Sequence, residues 1–152
     1  MIESNSKACF SVRQIEQPPP WLRLLLLTIG IGLLSIFAIA LRLKPDPRGF
    51  GTHQQLGLPA CHFRSITGLN CPHCGMTTSF SHLVRGQFQA SWQANPMGLP
   101  LALLIGAAAP WCILVAMRGR WLLTSRPFHW FVLTAVVYLT IAALSWVVRV
   151  LL

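Results

Sequence analysis

The stretch WLRLLLLTIGIGLLSIFAIAL at residues 21–41 decides the fold, because it is apolar along its whole length and carries one charged side chain, Arg23. A helix needs about 20 mostly apolar residues to cross the hydrocarbon core of a bilayer. Residues 97–117 and 128–148 have the same length and character. Arg23 lies close to the start of the first span, from where we expect its side chain to reach the lipid headgroups. No ionisable side chain lies at the middle of a span, which argues against a proton pump or ion carrier.

The whole chain has the composition of a membrane protein. Of its 152 residues, 54% are hydrophobic and 10% are charged, and its mean hydropathy is +0.58. We therefore predict an all-α integral membrane protein with about three transmembrane helices, not a soluble domain. The predicted regions are a disordered polar tail (1–20), the first transmembrane helix (21–41), a Cys/His loop (42–75), short amphipathic helices (76–95), the second transmembrane helix (96–117), a basic loop (118–127) and the third transmembrane helix (128–152).

The lysine and arginine residues are divided almost evenly between the two sides of the membrane. Residues 118–126 form a short segment with three arginines and no acidic residue, whereas the charges of residues 42–95 are spread over a longer segment. Short basic segments tend to stay in the cytoplasm, and longer segments are translocated more readily. We therefore predict a cytoplasmic N-terminus and an exported cysteine-bearing loop.

The net charge of +9 suits contact with anionic lipid headgroups. No array of basic residues interleaved with aromatic residues indicates binding to nucleic acid. The expected partners are therefore the lipid bilayer and another membrane or envelope protein.

The residues after Gly75 have the periodicity of a helix. Apolar side chains recur at spacings of three, four and eight residues, which indicates that they share one face. Arg85 and Gly86 interrupt the run, so we predict two short helices that lie along the membrane surface or against the bundle. The apolar face consists of Met76, Phe80, Leu83, Val84, Phe88 and Trp92, and polar residues such as Thr78 and Ser81 fill the rest.

Three cysteines within fourteen residues carry the specific chemistry of the chain. Cys71 and Cys74 have the spacing at which two thiolates reach one zinc ion, and Gly75 permits the tight turn that follows. Cys61 is the candidate third ligand, and His82 is the favoured fourth ligand because it lies two helical turns from Cys74. We therefore predict a zinc site formed by Cys61, Cys71, Cys74 and His82. The other histidines considered as a fourth ligand are His53, His62 and His73.

The same cysteines admit two other interpretations. Cys71-Pro72-His73-Cys74 is similar to the active-site motif of strongly oxidising thioredoxin-like oxidoreductases, in which a helix end and an imidazole lower the thiol pKa. The βαβ context of that motif is absent from the sequence, and a quinone-coupled membrane enzyme would be expected to have a second cysteine pair. Alternatively, Cys61 pairs with one of the other two in a disulfide that staples the loop to the helix.

An ordered set of residues begins at Cys61 and leads into the second span. The set comprises Cys61, Thr67-Gly68, Cys71-Pro72, Cys74-Gly75, Thr77, Leu83, Arg85-Gly86, Ala90 and Asn95-Pro96. In this order it resembles the bacterial membrane proteins grouped as domain of unknown function 2752. The family usually has arginine and alanine where this chain has Thr78 and Ser79. The resemblance implies a small multi-pass protein of the bacterial inner membrane with a cysteine-bearing loop, and it implies no settled activity.

We predict a membrane adaptor or assembly factor whose loop is held by zinc or by a disulfide. The alternative is a membrane thiol-disulfide oxidoreductase that uses Cys71 and Cys74. The sequence favours a protein that is not an enzyme, because its three acidic residues do not accompany a recognisable Ser/His pair.

Overall fold

The computed structural model describes residues 17–122 and 127–151. Within these ranges all regular secondary structure is helical. In chain order the elements are α1 (Pro20–Arg42), a 3-10 helix (Thr52–Leu56), α2 (His62–Thr67), α3 (Met76–Leu83), α4 (Phe88–Ala94), α5 (Gly98–Arg118) and α6 (Pro127–Leu151).

Helices α1, α5 and α6 are each long and apolar enough to cross a membrane. The described part of the chain therefore confirms the predicted all-α class with three candidate membrane-spanning helices. Residues 1–16 of the predicted tail and residues 123–126 of the predicted basic loop lie outside the described residues.

Helices α1 and α5 form an antiparallel pair that packs closely at small residues. A Cβ atom at Gly30 would lie 2.6 Å from Ile113 Cγ1 and 3.0 Å from the Ala109 carbonyl oxygen. Small residues at such a contact let two helices approach closely, which is a common mode of association in membranes. Towards the other end of α1, Ala40 packs with Ala102 of α5. The pair is therefore joined over most of its length.

Arg23 binds the C-terminal end of α5. Its Nε donates to the Ala116 carbonyl oxygen at 2.9 Å, and its Nη2 lies 3.5 Å from the Met117 carbonyl oxygen. The sequence did not predict this contact with α5. The physical reason for the contact is that the last carbonyl groups of a helix lack partners and carry partial negative charge, so a nearby guanidinium is stabilised there.

Helix α6 reaches the rest of the protein through hydrogen bonds from two of its aromatic side chains. Trp146 Nε1 donates to the Asn70 carbonyl oxygen at 2.7 Å, and Tyr138 Oη lies 3.4 Å from the Met97 carbonyl oxygen. The last turns of α6 therefore lie beside the cysteine-bearing segment, and α6 runs in the same direction as α1. Most of its apolar surface is exposed, with Ala142 buried, as a helix surrounded by lipid would be.

The run after Gly75 folds into α3 and α4, as predicted, with Gly86 in the left-handed region at the break. The predicted apolar face is divided: Phe80 is buried, whereas Phe88 and Trp92 are largely exposed. The most deeply buried side chains of α3 are hydroxyl residues from the polar remainder of the pattern. Small hydroxyl side chains permit close packing and can bond to neighbouring carbonyl groups. They are Thr78, Ser79 and Ser81.

Each of these hydroxyls joins α3 to a different part of the chain. Thr78 Oγ1 lies 2.8 Å from Thr52 Oγ1 of the 3-10 helix. Ser79 Oγ lies 2.8 Å from Ser91 Oγ of α4. Ser81 Oγ donates to the Leu43 carbonyl oxygen, just after α1, at 2.6 Å. Helix α3 is therefore the element around which the segment between α1 and α5 is organised.

Arg85 closes the C-terminal end of α1. Its Nη2 donates to the carbonyl oxygens of Leu41 at 2.8 Å and Leu43 at 2.7 Å, and its Nη1 donates to that of Ala40 at 3.1 Å. Nη1 also donates to the Ser81 carbonyl oxygen at 2.6 Å and to Ser81 Oγ at 2.8 Å. The guanidinium thus supplies donors to the helix end that the backbone leaves without partners, and it fixes α3 to α1.

Candidate metal centre

The turn from Cys71 to Gly75 leads directly into α3. The Cys74 N–H donates to the Cys71 carbonyl oxygen at 3.0 Å, and the Met76 N–H donates to that of His73 at 3.0 Å. Gly75 has a φ of 83°, a left-handed conformation that glycine adopts without strain. The chain therefore reverses within five residues and places the Cys71 and Cys74 side chains on the same side of the turn.

Helix α2 brings Cys61 back to this turn. Cys61 immediately precedes α2, and its carbonyl oxygen accepts from the Ser65 N–H at 3.0 Å. The helix ends at Gly68, which is again left-handed with a φ of 73°, and Leu69 and Asn70 return the chain to Cys71. A single short helix with its return loop thus spans the nine residues between the first cysteine and the pair.

The three sulfur atoms form one cluster. The Sγ atoms of Cys61, Cys71 and Cys74 all lie within 4.8 Å of one another, and those of Cys71 and Cys74 are 3.1 Å apart. All three cysteines are free thiols and are partly buried. Around a tetrahedral zinc ion with bonds of about 2.3 Å, two sulfurs stand about 3.8 Å apart. The cluster is therefore close to the geometry that one zinc ion requires.

Two of the thiols have different electrostatic surroundings. The Arg64 backbone N–H at the start of α2 points at the Cys61 sulfur and lowers the pKa of that thiol. Burial raises the pKa of Cys74 to about 12, and the hydrogen bond between its thiol and Cys71 adds to the rise. A cation placed among the sulfurs favours the thiolate form of each, because metal ligation requires deprotonated cysteine.

The buried side chain of Asn95 supports the turn from Cys71 to Gly75, which we call the cysteine turn. The side chain is 0% exposed, and its Nδ2 donates to the carbonyl oxygens of Pro72 at 3.2 Å and Cys74 at 3.1 Å. Its Oδ1 accepts from the Met97 N–H at 3.0 Å, just before α5. One amide side chain thus joins the cysteine turn to the start of α5, and hydrogen bonds of this kind hold metal ligands in a fixed orientation.

Gly75 lies where three segments meet. A Cβ atom at this position would lie 2.3 Å from the Ala94 carbonyl oxygen and 2.7 Å from that of Gly49. These contacts involve backbone atoms, which cannot move aside as a flexible side chain could. The glycine is therefore needed for close approach as well as for its backbone conformation.

A cleft of about 500 Å³ opens beside the cluster, and all three cysteines line it. Two arginines lie in its wall. Arg48 is paired with Asp46, with Nη2 and Oδ2 2.7 Å apart. Arg64 lies 3.5 Å from the centre of the Phe50 ring and donates to Asn70 Oδ1.

The structure brings together three of the four predicted zinc ligands. His82 does not join the group of sulfurs, and its Nδ1 lies 2.6 Å from Gln87 Oε1. The reason is that Cys74 precedes α3 and His82 lies in its last turn, and eight helical residues extend about 12 Å. The prediction that His82 is the fourth ligand is therefore wrong, because His82 lies too far along the helix axis from Cys74.

The other candidate histidines also lie outside the cluster. His53 and His73 line the cleft, and His53 Nε2 lies 3.1 Å from the Pro59 carbonyl oxygen. His62 is exposed. Within the described residues, three thiols are the full set of protein ligands that converge on one point.

Sequence reasoning missed the roles of Asn95 and Arg85. Asn95 was noted only as a member of the ordered set that leads into the second span, and Arg85 as part of a helix break. Both belong to the ordered set that carries the family resemblance, and this membership was the one indication in the sequence that they have a role. Their donors are directed at backbone carbonyl groups that only tertiary contact brings within reach.

These features define a class of protein: a membrane protein with three long apolar helices and a cysteine cluster held at one end of the helix pair α1–α5. Residues 61–109 match the family described as Protein of unknown function (DUF2752), which confirms the resemblance predicted from the sequence. The matched range contains the three cysteines, the cysteine turn, Asn95 and the first half of α5. No match was found among curated proteins or among solved structures.

Proposed function

We propose that Cys61, Cys71 and Cys74 bind one zinc ion, and that the ion fixes the segment between α1 and α5 as a docking surface for another membrane or envelope protein. The observation that carries this proposal is the convergence of three sulfurs within 4.8 Å of one another. Thiolates are soft ligands, and among the common divalent ions of the cell they favour zinc. Copper(I), a monovalent ion, also fits such a site.

The number and placement of the thiols favour a metal over a structural disulfide. A disulfide would use two of the cysteines and leave the third beside it without a covalent partner. One ion can bind all three, since the sulfurs approach from two segments that α2 holds together. The supporting contacts of Asn95 with the Cys74 carbonyl group match the outer shell that metal sites use to orient their ligands.

The position of the cluster supports a role in assembly. It lies at the end of the long apolar helices, where Arg85 and Ser81 of α3 fix the segment to the end of α1. A rigid extramembrane segment on a small membrane anchor suits an adaptor, because a partner then binds without ordering the segment first. In the proposed orientation the N-terminus is cytoplasmic and the cluster faces the outside of a bacterial inner membrane.

The experiment is a measurement of metal content. The detergent-purified protein, prepared without chelator and at low oxygen, is compared with the variants Cys71→Ser and Cys112→Ser. Cys112 is buried in α5, far along the chain from the cluster, so it serves as the matched control. We expect about one zinc per chain in the wild type and in Cys112→Ser, and a large loss in Cys71→Ser. A wild-type protein without metal, in which Cys71 and Cys74 are oxidised, would contradict the proposal.

A thiol-disulfide oxidoreductase is the second candidate, and the 3.1 Å approach of the Cys71 and Cys74 sulfurs favours it. In that reaction one thiolate attacks a partner's disulfide and releases one partner thiol. The second cysteine then attacks the mixed disulfide, which releases the other thiol and leaves a Cys71–Cys74 disulfide. The two electrons and two protons of the dithiol pass to the partner. A redox role predicts a stable mixed disulfide in Cys74→Ser, whereas a zinc role predicts loss of metal in that variant.

A further inference from the structure

We propose that the zinc ion has an open fourth coordination position, and that this position takes a small anionic ligand whose negative charge is bound by Arg64. This inference rests on the proposed zinc site and extends it. The protein supplies three converging ligands within its described residues, whereas zinc takes four. Structural zinc sites are closed by four protein ligands, and sites that act on a ligand keep one position open.

The open position faces the cleft and not the protein interior. At Gly75 the turn is packed against the backbone of Ala94 and Gly49, which leaves no room even for a Cβ atom. The three cysteines line a cleft of about 500 Å³. This volume lies within the range of small-molecule sites, which is about 300–1,000 Å³.

The two arginines of the cleft are not equivalent. Arg48 is neutralised by Asp46, with Nε and Oδ1 2.9 Å apart and Nη2 and Oδ2 2.7 Å apart. Among the described residues, Arg48–Asp46 is the one ion pair, so Arg64 has no carboxylate partner there. Arg64 therefore contributes the uncompensated positive charge in the wall of the cleft.

Arg64 is also held in place before any ligand arrives. Its guanidinium lies over the Phe50 ring at 3.5 Å, and its Nη1 donates to Asn70 Oδ1. Asn70 is itself fixed by Trp146 of α6, whose Nε1 donates to the Asn70 carbonyl oxygen at 2.7 Å. A guanidinium has five N–H donors, so donors remain for a carboxylate. Because the side chain is already ordered, binding loses less entropy.

The charge of the site selects an anion with a soft donor atom. Zinc with three thiolates has a net negative charge, so a ligand that adds another negative charge needs a nearby cation. Arg64 is placed to supply it. The expected ligand class is a small thiol that carries a carboxylate: its sulfur completes the tetrahedron, and its carboxylate pairs with the guanidinium.

The test uses the full-length protein with cobalt(II) in place of zinc, because the visible absorption of cobalt reports its coordination. Two probes with the same donor atom are compared: mercaptoacetate, which carries a carboxylate, and 2-mercaptoethanol, which is neutral. Cobalt content per chain is measured after each titration. We expect both thiols to shift the cobalt bands, with mercaptoacetate binding about tenfold more tightly.

Variants assign the preference to one arginine. Arg64→Gln should reduce the tenfold preference to about twofold or less, and Arg64→Lys should keep part of it. Arg48→Gln is the matched control, since its guanidinium lies in the same cleft but is already paired, and it should keep the preference. The metal content should be unchanged in all three variants.

The outcomes separate this inference from the proposed function. A chain that binds no cobalt contradicts the zinc site itself. A chain that binds one cobalt without a change of its bands on adding thiol overturns the open position, as does removal of cobalt by mercaptoacetate. A change of the bands in His53→Ala or His73→Ala before any thiol is added also overturns it, because an internal histidine would then occupy the fourth position. Equal affinity for the two thiols in the wild type overturns the role of Arg64.

Discussion

At each end of the α1–α5 pair, side chains donate hydrogen bonds to the last carbonyl groups of a helix, but the two ends differ in how many contacts they make. At one end the last carbonyl groups of α5 are met by Arg23, with one hydrogen bond of 2.9 Å and one contact of 3.5 Å. At the other end the last carbonyl groups of α1 are met by both Nη atoms of Arg85 and by the buried hydroxyl of Ser81. The cysteine cluster lies at the second end.

This difference shows where the protein has rigid polar structure. A helix end in or near lipid needs donors for its free carbonyl groups, and a single arginine is sufficient for that purpose. The cysteine end has more contacts than a helix end requires. The additional contacts, which include Asn95, Gly75 and the hydroxyls of α3, position the segment that carries the sulfurs. We infer that these contacts serve the site.

Gly75→Ala should have the largest effect, because it forces a Cβ atom against backbone atoms that cannot move aside. A Cβ atom would lie 2.3 Å from the Ala94 carbonyl oxygen, and the φ of 83° is strained for alanine. We expect a loss of about 4 kcal/mol or more in the free energy of unfolding, with little folded protein recovered. Thermal unfolding in detergent, followed by circular dichroism, measures it.

Gly68→Ala is the matched control for this prediction. Gly68 has a φ of 73°, and a Cβ atom there meets nothing within 4 Å, so only backbone strain is added. Its expected effect is about 1–2 kcal/mol. Equal losses in the two variants would show that the close approach of the backbones at Gly75 contributes nothing.

Replacing each capping arginine compares the two ends directly. Arg85→Met removes five hydrogen bonds and leaves carbonyl groups of α1 without donors, whereas Arg23→Met removes one hydrogen bond of 2.9 Å and one contact of 3.5 Å. We expect losses of about 3 kcal/mol for Arg85→Met and about 1 kcal/mol for Arg23→Met. Denaturant titration in the same detergent gives both values. A larger loss for Arg23→Met would reverse the ranking of the two ends.

Asn95→Asp tests the link between the cysteine turn and α5. It replaces the Nδ2 donor with an oxygen that faces the carbonyl oxygens of Pro72 and Cys74. We expect a loss of about 2–3 kcal/mol in stability and a drop in zinc affinity of about tenfold or more. Competition with a chromophoric chelator measures the affinity.

Asn70→Asp is the matched control for that variant. Asn70 is exposed, and its side-chain oxygen accepts from Arg64, so an aspartate keeps the acceptor. Its zinc affinity should change little. If both variants lose affinity equally, the effect would come from added negative charge near the site and not from the lost donor.

The long helices could be predicted from sequence because their signal is local. Residues 21–41 are apolar throughout, and α1 extends over Pro20–Arg42; length and composition are enough to identify such a helix. The break at Gly86 was also local, since arginine and glycine interrupt a periodic pattern. Three cysteines in a short segment indicated a cluster for the same reason.

The contacts across the chain could not be predicted in this way. Arg85 reaches Leu43, 42 residues away, and Arg23 reaches Ala116, 93 residues away. Nothing in the local sequence shows which helix end an arginine will meet. The polar residues of α3 were equally ambiguous, because a hydroxyl is tolerated both in water and at a close helix contact. His82 shared the expected helix face but lay too far along the axis.

Asp46→Asn should have the smallest effect on stability, because Asp46 forms an ion pair at the surface and not a buried contact of the cysteine end. The Arg48 guanidinium bound to Asp46 lowers the pKa of that carboxyl from 3.8 to about 2. The pair therefore adds stability above pH 3.8, and this contribution is lost as the pH falls from 3.8 towards 2.

Asp46→Asn keeps an acceptor for the Arg48 backbone N–H but lacks the charge. We expect the variant to be slightly less stable than the wild type near neutral pH, with a difference that shrinks as the pH falls to about 2 and disappears below it. Unfolding measured across this range checks the prediction. A stability difference that stayed constant with pH would mean that Asp46 acts through hydrogen bonds alone, as the buried groups around Asn95 do.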